Sequence, residues 1–177
     1  PFHAPAPEIK LGDNIAKQIE GEKCFVKGTV KNSGGLAIVG ASVDVWQSGP
    51  DGLYDVQKSN NIVDLRGKMK TDVDGNFCFR TVKPQFYPVP TDGPVGEVLN
   101  LLGRHPFRPA HIHFMVKAEG YKDLTTHAFI DGDPYLDSDT VFAVKESLIR
   151  KLNEINDPLD GKPCKELEFD IVMEKAN

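Results

Sequence analysis

The 177-residue sequence predicts a mainly β fold, two sheets packed as a sandwich with a few short helices. Short stretches of alternating apolar and polar residues recur along the chain. Gly-, Pro- and Asp-rich turns separate them, and helical spacing is confined to three brief segments. With 40% hydrophobic and 27% charged residues, the composition is that of one globular domain able to bury a sizeable core.

Residues 1–23 are rich in proline and charge and read as an irregular arm over the body, with a short helical turn at 15–19. Residues 24–31 alternate as a strand, and Asn32-Ser33-Gly34-Gly35 turns the chain. Residues 41–47 place Val43 and Val45 on one face; Trp46 lies on the other and is expected to pack in the sandwich. Gly49-Pro50-Asp51-Gly52 forces a turn before Leu53-Tyr54-Asp55, and a polar loop runs to about Asp64. Residues 67–72 and 76–82 form a hairpin about Asp72-Val73-Asp74-Gly75-Asn76, with Phe77 and Phe79 sharing a face. Pro84, Pro88, Pro90 and Pro94 then hold the backbone extended, leaving little entropy to lose when side chains are positioned there. A short helix is expected at 95–102, strands at 110–117 and 123–131, and a last strand at 166–173. Val141, Val144, Leu148 and Leu152 have helical spacing, so a helix is expected over 140–153 with Asp139 as its N-cap.

A net charge of −5 leaves no basic footprint for nucleic acid, and no apolar run approaches the ~20 residues that span a bilayer. Small molecules are therefore the expected partners, rather than nucleic acid or membrane. Cys24, Cys78 and Cys164 are odd in number and far apart, which argues against a disulfide framework and for a reducing, cytoplasmic setting. No signal peptide is visible, but the chain opens on Pro1 rather than Met, so secretion after removal of a signal stays open.

The chain is organised around Arg108-Pro109-Ala110-His111-Ile112-His113-Phe114. In a strand, His111 and His113 project from one face, with Ala110, Ile112 and Phe114 buried behind them. Neutral imidazole is the commonest metal ligand, so the pair suits either a metal site or two ordinary hydrogen-bonded histidines. No Cys-x-x-Cys accompanies it to build a structural zinc site. Tyr54 follows a tight turn and Tyr87 sits within Lys83-Pro84-Gln85-Phe86-Tyr87-Pro88-Val89-Pro90. Each alone reads as an ordinary tyrosine. Together with the histidines they make a set of two phenols and two imidazoles, and phenolate, with a pKa near ~10 in water, ionises at neutral pH only on a strongly Lewis-acidic metal such as ferric iron.

With these motifs the sequence resembles the intradiol ring-cleavage dioxygenases, specifically their hydroxyquinol branch. The resemblance rests on Gly40-Ala41-Ser42-Val43-Asp44-Val45-Trp46-Gln47, Asp51-Gly52-Leu53-Tyr54-Asp55, Leu65-Arg66-Gly67, Tyr87-Pro88-Val89-Pro90, Gly103-Arg104-His105-Pro106, Arg108 to Phe114, and Tyr135-Leu136-Asp137-Ser138-Asp139. It implies a prealbumin-like β-sandwich forming one catalytic domain over 1–177. It implies non-haem Fe(III) held by Tyr54, Tyr87, His111 and His113, with Tyr87 leaving the metal to act as base. It implies that Arg108 stabilises negative charge on the substrate and that Leu53, Val89, Pro90 and Val141 line the pocket. His105 and His127 resemble structural or supporting positions, and His3 is expected to be exposed. Substrates would be O2 and a small aromatic diol or triol, giving maleylacetate or cis,cis-muconate-type products, with hydroxyquinol preferred over catechol. Pro1-Phe2 resembles the segment just after the helical domain of bacterial members, which this sequence does not include. Two rival functions remain: a non-catalytic prealbumin-like binding module, and a zinc hydrolase built on the histidine pair, for which no carboxylate third ligand is evident near that strand.

Overall fold

A computed structural model of the chain describes residues 6–58 and 62–176; Pro1, Phe2 and His3 lie outside them, as does the middle of the polar loop before Asp64. One sheet runs β10 (Asn153–Asn156), β11 (Pro163–Glu168), β1 (Lys23–Asn32) and β12 (Ile171–Met173), with β4 (Asn76–Val82) also paired to β1. The other runs β3 (Arg66–Lys70), β2 (Ser42–Gln47), β7 (His111–Lys117), β8 (Leu124–Ile130) and β9 (Ile149–Arg150). A two-stranded ribbon, β5 (Tyr87–Pro88) with β6 (Phe107–Arg108), and one helix, α1 (Pro94–Leu101), complete the described chain.

The sandwich forms because alternate residues of both sheets are apolar. Val26, Val30 and Phe79 of the first sheet face Val43, Val45, Ile112, Phe114 and Val116 of the second, all fully buried. Phe114 crosses the interface, its ring 5.9 Å from Phe77 and 5.0 Å from Phe169. Burying each such side chain contributes ~1.5–3 kcal/mol. This inner face fixes the register of β7 and turns its alternate residues, His111 and His113, outward.

Four expectations change. Residues 67–72 and 76–82 are not a hairpin: the chain turns at 72–76, but β3 pairs with β2 and β4 with β1, so the turn carries it from one sheet to the other. Residues 140–153 are not a helix: Glu146–Leu148 is a 3-10 turn, followed by β9 and β10. Phe142 has φ 56°, a left-handed conformation that stops a helix in its first turn, and Leu148 and Leu152 reach the sandwich core from extended or turn backbone. The 15–19 segment is likewise not helical. Ile15 N–H donates to the Arg80 carbonyl (2.9 Å), and the backbones of Lys17 and Gln18 donate to the buried Asp64 carboxylate (2.7 and 3.1 Å), so tertiary partners replace helical ones. The last strand is divided into β11 and β12, both parallel to β1. At the break, the Phe169 carbonyl lies where a Cβ on Gly28 would be, 2.0 Å from that position, so only glycine admits this approach. The arm over residues 6–22 is irregular, as expected, and is tied down by backbone hydrogen bonds from Ile9 to Lys68 and from Gly12 to Cys78. No helix among the described residues is long and apolar enough to cross a membrane.

Candidate metal centre

Strand register assembles the site. Arg66 on β3, Trp46 on β2, His113 on β7 and His127 on β8 are direct cross-strand partners, forming one row over the outer face of the second sheet. Trp46 therefore does not pack inside the sandwich. Its ring stacks on the His113 imidazole at 4.5 Å and 5° between planes. His127 flanks His113 on the other side at 4.5 Å. The imidazole is held between two rings, which restricts its χ2 rotation.

Tyr54 arrives from a loop and Tyr87 from β5 of the ribbon. Gly52 (φ +74°) turns that loop tightly, and a Cβ there would stand 3.1 Å from the Phe86 carbonyl, so the glycine lets the Tyr54 turn close onto the Tyr87 strand. The Tyr54 and Tyr87 rings meet edge-on at 5.1 Å. Behind Tyr54, the buried Asp55 carboxylate is chelated by the Arg66 guanidinium through Nε (2.7 Å) and Nη2, and the Gln57 side chain accepts from the Tyr54 backbone N–H (2.8 Å).

The ligating atoms converge. Tyr54 Oη lies 3.1 Å from His113 Nε2, which lies 3.1 Å from His111 Nε2. First-row metals bind such ligands at ~2.0–2.1 Å, so two ligands meeting between a right angle and the tetrahedral angle stand about 2.9–3.4 Å apart. The observed separations fit a shared ion. His111 Nδ1 donates to the Pro109 carbonyl (2.7 Å), which leaves Nε2 with its lone pair facing the convergence point. Burial, and then the Arg108 cation, hold His111 well below the ordinary imidazole value, so it is neutral and able to ligate at neutral pH. Burial and then the neighbouring Tyr87 raise the Tyr54 phenol above its ordinary value, so without a cation it stays protonated. His111, His113 and His127 also form a three-imidazole group whose ligating atoms all lie within 4.8 Å of one another.

Arg108 is buried opposite Tyr87 in the ribbon. Its Nε donates to Asp139 Oδ1 (3.2 Å), its Nη1 reaches His111 Nε2 (3.4 Å), and its buried Nη2 has no hydrogen-bond partner among the described residues. An unpaired buried guanidinium nitrogen is costly unless something anionic arrives there. Asp139 is no N-cap to a helix. Its carboxylate ties Arg108 to a turn, accepting also from the Val141 and Ala143 backbones (3.3 and 2.9 Å).

A family model described as dioxygenase matches residues 6–175, nearly the whole chain. The chain belongs to the intradiol dioxygenases. It is 48% identical over 172 residues to hydroxyquinol 1,2-dioxygenase of Rhizobium sp. (strain MTP-10005), covering 96% of this chain and 57% of that protein. It is 51% identical over 151 residues to 6-chlorohydroxyquinol 1,2-dioxygenase of Cupriavidus pinatubonensis, covering 84% of this chain and 55% of that protein. The crystal structure of hydroxyquinol 1,2-dioxygenase from Pseudomonas putida DLL-E4 superposes with a TM-score of 0.91 at 42% identity, over 99% of this chain and 64% of that one. The chain thus spans little more than half the length of the curated relatives it matches.

Within this intradiol dioxygenase the expected ligands, Tyr54, Tyr87, His111 and His113, are brought together, and Arg108 stands beside them. Val89, Pro90 and Val141 line one apolar groove, whereas Leu53, 41% exposed, is not among its lining residues. His105 is structural: its Nδ1 accepts from the Phe107 backbone (3.1 Å) and its Nε2–H donates to Ser138 Oγ (2.8 Å). Sequence reasoning missed two supports. Trp46 is discoverable once strand register is known, because it lies opposite His113. Asp139 as the partner of Arg108 has no local signal, since 31 residues separate them.

Proposed function

We propose that this chain carries the catalytic centre of a non-haem ferric intradiol dioxygenase, which opens hydroxyquinol or a related catechol between its adjacent hydroxyls with O2. The observation that carries the proposal is the 3.1 Å convergence of Tyr54 Oη, His113 Nε2 and His111 Nε2, with Tyr87 at their edge. The described residues 6–58 and 62–176 would act as one catalytic domain. A non-catalytic binding module gives no account of two phenols and two imidazoles meeting beside a buried arginine.

Tyr54, Tyr87, His111 and His113 fit ferric iron: two hard anionic oxygens offset its charge and two neutral nitrogens complete the set. When bound there, iron supplies Lewis acidity, which ionises the phenols and draws electron density from a chelated diol so that the ring reacts with O2. The protein supplies the rest. His111 and His113 are held in ligating orientation by the Pro109 carbonyl and the Trp46 stack. Tyr87, on the short strand facing Arg108, takes a proton from an incoming hydroxyl. Arg108, oriented by Asp139, presents Nη2 to the substrate oxygens or ring carbon as negative charge develops, where a fixed cation counts for far more than in water. Both atoms of O2 enter the product. Catechol therefore gives muconic acid, which keeps every carbon and hydrogen of the diol and gains both oxygens, and hydroxyquinol gives maleylacetate.

Two relatives are named for hydroxyquinol or its chloro derivative. A third hydroxyl also enriches the ring in electrons and eases attack by O2. Both considerations favour hydroxyquinol over catechol.

The iron-loaded protein is expected to be red to burgundy from tyrosinate-to-iron charge transfer, and to consume one O2 per hydroxyquinol. Tyr87→Phe is expected to keep most of the iron and slow substrate binding and turnover. A colourless, fully iron-loaded protein would remove the ligand assignment, and unchanged kinetics in Tyr87→Phe would remove its role as base.

A further inference from the structure

The loop that carries the Tyr54 phenol is held from behind by buried charge. Asp55, the next residue, is 6% exposed. Besides the Arg66 guanidinium, its carboxylate accepts from the Val56 N–H (2.8 Å) and the Asp64 N–H (3.2 Å). Asp64 is 5% exposed, and its own carboxylate accepts three backbone N–H groups, from Lys17 (2.7 Å), Gln18 (3.1 Å) and Leu65 (3.0 Å). Hydrogen bonds to an ionised acceptor are the strong ones, so this is a firm join between the arm and the chain that follows the Tyr54 loop. The Leu65 N–H is shared with the Ile15 carbonyl (2.9 Å). Leu65 itself has φ 55°, a left-handed backbone that a bulky side chain adopts only where its surroundings impose it.

The arm also supports the loop by packing. Leu65 forms a small buried cluster with Ala16 and Val82, and Ile19 packs against it. A Cβ on Gly49, where the turn towards Tyr54 begins, would lie 3.3 Å from Leu65 Cδ1 and 3.4 Å from Ile19 Cδ1. A Cβ on Gly21 would lie 2.7 Å from the Pro50 ring. The Tyr54 loop is therefore fastened to the arm at both ends, by apolar contact before the tyrosine and through Asp55 and Asp64 after it. Little slack is available between them. Tyr54 Oη stands 3.1 Å from His113 Nε2, and two ligands of one ion stand about 2.9–3.4 Å apart, so a shift of a few tenths of an ångström matters. His113 is fixed within its sheet, so any such shift falls on the Tyr54 side.

We propose that Asp64 is a positioning residue of the metal centre: clamped by the arm backbone at Lys17 and Gln18, it fixes Asp55 and Arg66, and through them the point at which the Tyr54 phenol meets the metal. The inference rests on the reading of Tyr54 as a ligand. It makes residues 15–21 of the arm part of the machinery of the site and not a covering alone.

The test reads the Tyr54–iron bond. In iron-loaded Tyr87→Phe, Tyr54 is the one tyrosinate left on iron, so the charge-transfer band reports on it alone. Asp64→Asn, added to that variant, keeps the size of the side chain and one acceptor oxygen but turns an NH2 group towards a backbone N–H. The band is expected to shift, and iron affinity to fall about tenfold. In the otherwise unaltered chain, Asp64→Asn is expected to lower kcat about 10–100-fold with a smaller change in KM. Val30→Ala, in the core of the first sheet, is the comparison for lost stability. Measured equally far below its own melting temperature, it is expected to leave the band in place. Ile19→Ala loosens the arm by apolar contact alone and is expected to move the band the same way by less, which keeps the test available if Asp64→Asn does not fold. A coloured Asp64→Asn protein whose band, iron affinity and kcat match those of Val30→Ala overturns the inference and leaves the ligand assignment intact. So does an unmoved band in Ile19→Ala where Asp64→Asn does not fold. A colourless but fully iron-loaded Tyr87→Phe protein overturns the assignment of Tyr54, and the inference with it.

Discussion

The two sheets of the sandwich share one inner face but finish their outer faces differently. On the first sheet, β1 turns Lys27 and Lys31 outward beside Glu166, Glu168 and Asp170, with ion pairs at 2.9, 3.8 and 3.8 Å. Those lysines are about 40% exposed, so water screens the pairs. On the second sheet, the corresponding outward row is Arg66, Trp46, His113 and His127, beside the loop that carries Tyr54 and the ribbon that carries Tyr87 and Arg108. There the ion pairs are dry: Asp55–Arg66 is about 5% exposed at both ends, and Arg108–Asp139 is below 10%. The same strand alternation thus makes an ordinary solvated face on one side and a candidate metal centre on the other. What separates them is whether loops exclude water, because that decides how strongly a charge or imidazole acts on its neighbour.

The comparison is broken most severely by removing a ligand. His113→Ala is expected to abolish the charge-transfer colour and to lower iron content and turnover by more than the ~100-fold typical of a ligand's supporting partners, as read by metal analysis and O2 uptake. Retained iron and activity would mean that the row on the second sheet is no more than a packed surface. A smaller effect is expected for Asp139→Asn, which frees Arg108 without touching the metal ligands. Turnover should fall about 10–100-fold with colour preserved, and KM should change less than kcat. A loss of substrate affinity with kcat unchanged would assign Arg108 to binding alone.

Acid sharpens the contrast. In the metal-free protein, burial and then the Arg108 cation lower His127 from 6.5 to about 4, with Asp139 opposing. Between those values the unfolded chain holds a proton that the folded chain does not, so this stabilisation is complete above pH 6.5 and is lost as pH falls towards 4. The melting temperature of the metal-free protein should drop across that window, and His127→Gln should flatten the drop. The smallest effect is expected on the solvated face: Lys27→Ala should change stability by ~1 kcal/mol or less and leave turnover unaltered.

Much of this was legible in the chain itself. The 2-residue period of 43–45, 77–79 and 110–116 specified a sandwich and put His111 and His113 on a common face, because strand geometry is local. Helical spacing at 140–153 misled, since apolar residues three and four apart are equally available to turns and short strands that dip into the same core. The left-handed Phe142 and the pull of Arg108 on Asp139 decided against a helix.

By itself, the order of residues determined the central strands, which of their residues share a face, and the types of group available for chemistry. Only the tertiary structure decided that Trp46 stacks on His113 rather than in the core, that Asp139 holds Arg108 across 31 residues, and that Val89, Val141 and Phe142 share one groove. The reason is physical. Backbone sterics and side-chain alternation act between neighbours and are written locally. Register between strands and the docking of loops depend on summed burial over the whole sandwich, and groups far apart in sequence meet only once that sum has been satisfied.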